Sequence, residues 1–310
     1  MKKVSIILLS YNHEKYIAQA IESILLQKGD FEIKVLAADD CSTDNTRQII
    51  EEYSTRYKQI VILERSENIG ATRNWINAYN HCDGDYMCTL EGDDYWIDDE
   101  KIKKQIEFLE QNPNYIGIAH TLEGRDLAGK LIGIMPNYSK DRKINLKRYL
   151  NNNLFSFTSI LYNSKKYKLS EQEKEIICFH RIVADFTVNL ITLMKGDVFN
   201  FSKPMAAYRV RNLEGETNYN SMTSAVKVQR DCIKIINNFN KNYPRINLSK
   251  LCRTYLIGAL VLRIKMKNKS EYKETLELAP KKYVFDFRMR IPFILIKIAF
   301  RKFFRKLNSK

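Results

Sequence analysis

Three carboxylates fall within four residues at Glu91-Gly92-Asp93-Asp94, directly after the apolar run 86–90. Adjacent carboxylates on a tight turn can hold a divalent cation, and such a cation neutralises the charge that develops on a departing diphosphate. Asp and Gly also favour ordinary solvated turns, so the motif decides nothing alone. Two further polar clusters occupy similar places. Ser10-Tyr11-Asn12-His13 follows the run 4–9, and Asp39-Asp40-Cys41-Ser42-Thr43-Asp44 follows the run 33–38. Their chemistry depends on whether the chain gathers these ends in one place.

The intervening pattern predicts that it does. Residues 4–9 are rich in Ile and Leu and apolar on both faces, as a strand buried in a parallel sheet must be. Ile17, Ala20, Ile21, Ile24 and Leu25 then recur at helical spacing. Strands at 33–38, 60–63 and 86–90 alternate with helices carrying Ile49, Ile50 and Tyr53, then Trp75, Ala78 and Tyr79. Ser42-Thr43-Asp44 offers an N-cap to the first of these two helices. The succession implies an α/β fold with a Rossmann-like, mostly parallel sheet and helices on both faces. Ligands of such sheets bind at the carboxyl ends of the strands, where all three polar clusters fall. Further on, 116–121, 156–162, 198–202 and 205–210 read as strands and 185–194 as a helix. From about residue 223 the pattern is helical, with one stripe through Val226, Cys232, Ile235, Ile236 and Phe239 and another through Leu248, Leu251, Cys252, Tyr255, Leu256 and Ala259.

Composition narrows the class. A chain of 310 residues with 45% hydrophobic and 28% charged residues is an ordinary folded protein. Its six cysteines form no C-x-x-C pair and read as reduced thiols rather than a disulfide framework or a zinc site. No run approaches the roughly 20 apolar residues needed to span a bilayer, and the first residues lack a signal-peptide pattern. The net charge of +15 is concentrated at the end: residues 281–310 hold ten Lys and Arg against Asp286 alone. On a helical wheel Ile296, Phe300, Phe303, Phe304 and Leu307 face one way, with Lys297, Arg301, Lys302, Arg305 and Lys306 opposite. A basic amphipathic segment of this kind suits an anionic membrane surface. No recognition motif accompanies the charge, so nucleic acid is not an expected partner.

Six segments together carry a family resemblance. They are Val4-Ser5-Ile6-Ile7-Leu8-Leu9-Ser10-Tyr11-Asn12, Asp39-Asp40-Cys41-Ser42-Thr43-Asp44, Asn68-Ile69-Gly70-Ala71-Thr72-Arg73-Asn74, Gly84-Asp85-Tyr86 through Asp94, Ala184-Asp185-Phe186-Thr187-Val188-Asn189-Leu190 and Tyr208-Arg209-Val210-Arg211. In this order the chain resembles the family 2 glycosyltransferases over residues 3–212. The resemblance implies the A-type glycosyltransferase fold and transfer of a sugar from a nucleotide-diphosphate donor, with UDP the expected nucleotide. By position it places Ser10 and Tyr11 at the nucleoside, with Asp40 or its neighbour Asp39 accepting a hydrogen bond from the base. Arg73 would lie near the nucleotide or its phosphates. Asp94 would be the principal ligand of Mn²⁺ or Mg²⁺, with Asp93 shared between metal and ribose. Asp185 matches the catalytic base of inverting members, and Arg209 or Arg211 would reach the diphosphate.

The departures are modest. Leu9 stands where the family often has Pro, Cys41 where it often has Gly, and Glu91 where many members have Asp. Ala184 replaces an acid that often precedes the base. The expected organisation is a nucleotide-sugar-binding and catalytic domain at 1–215, then a helical C-terminal region at 216–310 ending in the basic segment. The expected acceptor is a glycan or lipid-linked glycan of a bacterial surface polysaccharide, and the expected location is cytoplasmic, peripheral at the inner face of the membrane. An alternative from another class is a catalytically silent nucleotide- or sugar-binding protein of the same fold. Nucleotidyl transfer ranks lower, because the loop Ser10-Tyr11-Asn12-His13 lacks the glycines that would cradle a triphosphate.

Overall fold

β1 (Lys2–Ser10) is buried from Val4 onward and alternates its side chains between two apolar layers. It pairs in parallel with β2 (Phe31–Asp39) on one side and β4 (Tyr86–Glu91) on the other, while β3 (Ile60–Ile62) extends the sheet beyond β2. Val4, Ile6 and Leu8 pack against Ile17, Ala20, Ile21 and Ile24 of α1 (Ile17–Leu25) and Ile102, Ile106 and Leu109 of α4 (Lys101–Gln111). α2 (Thr46–Arg56) adds Ile50 and Tyr53 to this layer. The opposite face meets α3 (Ala71–Asn80), whose fully buried Trp75 donates its indole N–H to Thr89 Oγ1 on β4 at 2.9 Å. Each such buried apolar side chain contributes about 1.5–3 kcal/mol.

The structure, a computed structural model, describes residues 1–151, 155–181, 185–210, 225–266 and 269–279, with 281, 283–285 and 287. Beyond β4 the sheet becomes mixed. β9 (Leu161–Asn163) runs antiparallel to both β4 and β6 (Tyr115–Arg125), and β10 (Asp197–Arg209) returns parallel to β6. The path is β3-β2-β1-β4-β9-β6-β10-β5, with β5 (Tyr95–Trp96) antiparallel to the end of β10. β7 (Leu131–Met135) lies beside β6, and β8 (Arg142–Ile144) beside β10. Short helices α5 (Leu146–Tyr149) and α6 (Glu171–Ile177) precede α7 (Asp185–Lys195). The result is a mixed α/β sheet flanked by helices.

Three local expectations change. Of the apolar run 156–162 only its end enters β9, and Phe157–Ser159 form a 3₁₀ turn. The runs 198–202 and 205–210 are one strand, β10, whose register shifts around Pro204, a residue that lacks an N–H for the ladder. The N-cap of α2 is Asn45, without a side-chain cap bond; Asp44, one residue earlier, accepts from Thr46 N at 3.0 Å.

The chain divides into two units, Met1–Ser221 and Met222–Lys310. The second is helical, with α8 (Ala225–Asn242), α9 (Ser249–Met266) and α10 (Lys269–Leu278). Ile235, Ile236 and Phe239 of the first stripe are buried, as are Leu248, Leu251, Cys252 and Leu256 of the second. Among the described residues no helix is long and apolar enough to cross a membrane. The basic segment through Leu307 lies outside the described residues.

One buried cation tests the core directly. Lys101 opens α4 with no exposed surface, its Nζ donating to Gln105 Oε1 at 2.9 Å and lying 4.3 Å from the centre of the Trp96 ring. Burial pushes its ammonium down to about 8. The adjacent His120 is pushed down to about 3, first by burial and then by the Lys101 charge, and is therefore neutral. Because the folded pKa lies below the ordinary 10.5, the unfolded chain holds this proton more tightly across that window. Stability should therefore rise as pH climbs from about 8 toward 10.5, by at most about 3 kcal/mol. Lys101→Met is accordingly expected to raise the melting temperature at pH 7, with an advantage that shrinks between pH 8 and 10. Calorimetry across that range checks it; an equal or lower melting point at pH 7 would show that Gln105 and Trp96 outweigh the burial cost.

Candidate active site

Register decides which side chains share the carboxyl edge of the sheet. Ser10 pairs with Asp39, and Leu9 pairs with Glu91, so the ends of β1, β2 and β4 stand in one row. The three polar clusters are therefore neighbours, as strand-end placement requires.

The loops after β1 and β2 are laced together by short side chains. Asn12, at φ 57°, donates its N–H to Ser42 Oγ at 2.9 Å and accepts Thr43 N on its Oδ1 at 2.8 Å. Asn tolerates the left-handed region because its amide bonds locally. Cys41 is also left-handed at φ 57°, which supplies a physical reason for glycine at this place in the family. Tyr11 projects outward, 37% exposed.

Asp39 and Asp40 face inward, only 2% and 4% exposed. Asp39 accepts from Ser10 Oγ at 2.9 Å and from both the backbone N–H and the hydroxyl of Ser42. Asp40 accepts Ile69 N at 2.9 Å on one oxygen and Gly70 N at 2.8 Å on the other. Asn68 Nδ2 donates to the Asp40 carbonyl at 2.9 Å. Asp40 thus shapes the 68–70 turn, while each of its oxygens retains one further lone pair. Behind it Arg65 donates to Asn74 Oδ1 at 3.0 and 3.1 Å, and Asn74 Nδ2 donates to the Ala38 carbonyl at 2.7 Å.

The chain before α7 straps onto this turn. Arg181 Nη2 donates to the Asn68 carbonyl at 2.7 Å, and Thr72 Oγ1 donates to the His180 carbonyl at 2.7 Å. Gly70, at φ 86°, lies so close that a Cβ there would stand 2.2 Å from Arg181 Cγ. Arg73 is exposed on α3, and its charge acts on the Cys178 thiol, which places it on the strap side of the site.

The acidic turn follows β4. Glu91, Asp93 and Asp94 each offer a carboxylate oxygen, and the three oxygens lie within 4.8 Å of one another. Oxygens of one small divalent ion stand about 3–4 Å apart, so the three could share one after drawing together. Gly92 is required by contact: its N–H donates to the Leu9 carbonyl at 2.7 Å, and a Cβ would meet Ile17 Cδ1 at 2.8 Å and His13 Nδ1 at 2.9 Å. Asp94 N donates to the Glu91 carbonyl at 2.9 Å, closing the turn, and Asp94 Oδ1 accepts Arg209 N at 3.0 Å. The Arg209 side chain is engaged by the protein itself. It is buried, donating to the Asp93 carbonyl and to Gln19 Oε1. Arg211 and Ala184 lie outside the described residues.

Asp185 heads α7 and is exposed, yet the protein crowding its carboxyl raises it above the ordinary 3.8. Tyr208 feels the charges of both Asp185 and the acidic turn. Burial first, then the charges of Glu91, Asp94, Asp93 and Asp185, raise the Tyr208 hydroxyl. Burial dominates the raised hydroxyls of Tyr149 and Tyr162 as well, with Asp185 adding to each. In the sequence Tyr208 stands out only as part of the Tyr208-Arg209-Val210-Arg211 segment, expected to close the site as a strand and loop. Of the histidines, His13 abuts Gly92, His180 serves through its carbonyl, exposed His81 contacts the Asn77 carbonyl at 2.8 Å, and His120 is buried in the core.

Comparison with known proteins agrees with this geometry. An uncharacterised protein of Mycobacterium tuberculosis is 30% identical over 207 residues, which are 66% of this chain and 58% of that protein. The chain thus matches little more than half the length of this curated relative. Staphylococcus aureus TarS, a poly(ribitol-phosphate) β-N-acetylglucosaminyltransferase, is 34% identical over 115 residues, 36% of this chain and 20% of TarS. The crystal structure of TarS 1–349 in complex with UDP-GlcNAc has a TM-score of 0.60 at 20% identity, covering 91% of this chain and 82% of that one. The mannosyltransferase PcManGT of Pyrobaculum calidifontis, in complex with GDP-Man and Mn²⁺, has a TM-score of 0.50 at 12% identity, covering 93% and 86%. At these identities the structural likenesses speak for the fold, the mixed sheet with flanking helices of an A-type glycosyltransferase. The sequence profile of Glycosyl transferase family 2 matches residues 5–169, more than half of the chain, and the chain belongs to that family.

Proposed function

We propose that this protein is an inverting, metal-dependent glycosyltransferase that moves a sugar from a UDP-sugar to a glycan or lipid-linked glycan acceptor. The observation that carries the reading is the Glu91-Asp93-Asp94 turn, whose three carboxylate oxygens lie within 4.8 Å of one another, in a fold that sets a further acid, Asp185, at the head of α7. Inverting transfer needs that division of labour: one group of carboxylates for the leaving side and one base for the attacking side.

Tyr11 offers an exposed ring to the nucleoside, with Ser10, Asp39 and Asp40 beneath it. The remaining lone pairs of Asp40 suit the imino proton of uracil. Arg73, exposed on α3, is placed for the nucleotide or its phosphates. Asp94 and Asp93 would hold Mn²⁺ or Mg²⁺, with Glu91 within reach of the same ion. When bound, the ion offsets the negative charge of the departing nucleoside diphosphate. Asp185 removes the proton of the acceptor hydroxyl as that oxygen bonds to the anomeric carbon, while the bond to the diphosphate breaks on the opposite face. A single displacement needs this one base. The nucleotide sugars bound to TarS and the Mn²⁺ bound to PcManGT support the donor class and the metal. Attachment at the inner face of the membrane rests on the sequence of the basic C-terminal segment.

Thermal shift with UDP, with and without Mn²⁺, tests the donor site. Wild type is expected to gain stability from UDP and more from UDP with Mn²⁺, and Asp94→Ala to lose the metal-dependent part. A metal-dependent shift that survived in Asp94→Ala would remove the ligand assignment. Asp185→Asn is expected to lower kcat by about 10²–10⁴-fold while UDP affinity stays unchanged. The base acts only when ionised, so wild-type rate should climb with pH on an acid limb. Its midpoint should lie above 3.8, because surrounding protein raises the carboxyl. Full activity of Asp185→Asn, or loss of nucleotide affinity in place of turnover, would reject the assignment.

A further inference from the structure

Arg209 is a buried cation bonded directly to the acidic turn. It is 8% exposed at the end of β10. Its guanidinium carbon lies 4.7 Å from the ring centre of Tyr16 and 4.7 Å from that of Tyr95. Nη1 donates to the Asp93 carbonyl and Nη2 to Gln19 Oε1, while the backbone N–H donates to Asp94 Oδ1 at 3.0 Å. Three elements meet on this side chain: the acidic turn, the start of α1 just after the nucleoside loop, and the β10–β5 ladder, in which Ala207 pairs with Tyr95.

We propose that Arg209 is a positioning residue for the metal ligands, a buried brace that fixes the Asp93-Asp94 turn rather than a group that binds the diphosphate. The proposal rests on the metal reading given above and adds the residue that holds the ligands in place. Two features argue for it. The guanidinium bonds a main-chain carbonyl of the turn, so it restrains the backbone from which two ligands project. Its guanidinium also lies over two tyrosine rings, a setting that stabilises a fixed guanidinium. Oxygen ligands for a small divalent ion must be held near ideal geometry, and loss of a residue that orients ligands typically weakens metal binding 10–100-fold.

The expected sign separates this from simple electrostatics. Removing a positive charge beside three carboxylates would by itself tighten binding of another cation. Removing a brace weakens it. The test is Mn²⁺ titration of the full chain by calorimetry without nucleotide, alongside UDP titration in EDTA. Arg209→Met is expected to bind Mn²⁺ at least about tenfold more weakly, Arg209→Lys to recover part of the loss, and UDP affinity in EDTA to match wild type. Unchanged or tighter Mn²⁺ binding in Arg209→Met overturns the proposal, as does weaker UDP binding in EDTA with Mn²⁺ binding intact, which would make Arg209 a phosphate ligand. Asp94→Ala is the control: if it binds Mn²⁺ like wild type, the metal reading itself fails. Should Arg209→Met not fold, Gln19→Ala releases one end of the brace while keeping the charge and both rings. A loss of Mn²⁺ affinity of a few fold supports the brace, and unchanged affinity counts against it.

Discussion

The parallel register of β1 against β2 and β4 is the constraint on which the site depends. Ser10 opposite Asp39 and Leu9 opposite Glu91 bring three loop origins to one level. A slip of one residue in either ladder would turn every side chain of that strand to the other face. Val4, Ile6 and Leu8 fill the layer under α1 and α4 with no exposed surface, and a slip would carry Ser5 into that apolar layer. Apolar burial in the middle of the strands therefore places the polar chemistry at their ends.

What the strands locate, the loops must then hold rigid, and they do so with small polar side chains and unusual backbone. Asn12 and Cys41 both sit at φ 57°, and the bonds among Asn12, Ser42 and Thr43 join their loops. A left-handed non-glycine residue costs about 1–2 kcal/mol. The lattice of bonds onto Asp39 and Asp40 outweighs it, since hydrogen bonds to charged groups contribute about 1.5–3 kcal/mol each. Gly92 solves the matching problem on β4, where the turn passes too near Ile17 and His13 for any Cβ.

Much of this was legible in the sequence, and the exceptions have physical causes. Strands β1, β2 and β4 announce themselves because buried parallel strands must be apolar on both faces. α4 does not, because two of its buried positions are Lys101 and Gln105, so its inward face reads as polar. α6 carried a readable signal in Ser170 and Glu173, whose reciprocal capping box is present in the fold. β5, β7 and β8 are short and gain meaning only from their partners in β6 and β10. At the site, sequence could name Asp39 and Asp40 but not say that both point inward. It could name Arg209 but not that β10 carries it beneath the turn. An arginine's destination is set by tertiary pairing, which its neighbours in sequence do not encode.

The inward aspartates have a further consequence. Asp40 uses both oxygens on the amides of Ile69 and Gly70, and that turn presents the Asn68 carbonyl to Arg181. Thr72, on the first turn of α3, donates to the carbonyl of His180 and through its amide to that of Arg181 at 3.1 Å. Asp185 follows four residues after Arg181. A short run of hydrogen bonds through one turn thus joins the loop proposed to meet the nucleoside to Arg181, four residues before the proposed base. Gly70 leaves no slack in that run, since even a methyl group would strike Arg181. In such an arrangement a carboxylate buried beneath the nucleoside loop does two things at once. It leaves lone pairs for the proposed contact with the base, and it sets the turn that His180 and Arg181 bond. That double duty explains why Asp40 is buried and bonded to backbone: a freely exposed carboxylate could meet a base, but it could not hold the turn that seats the strap.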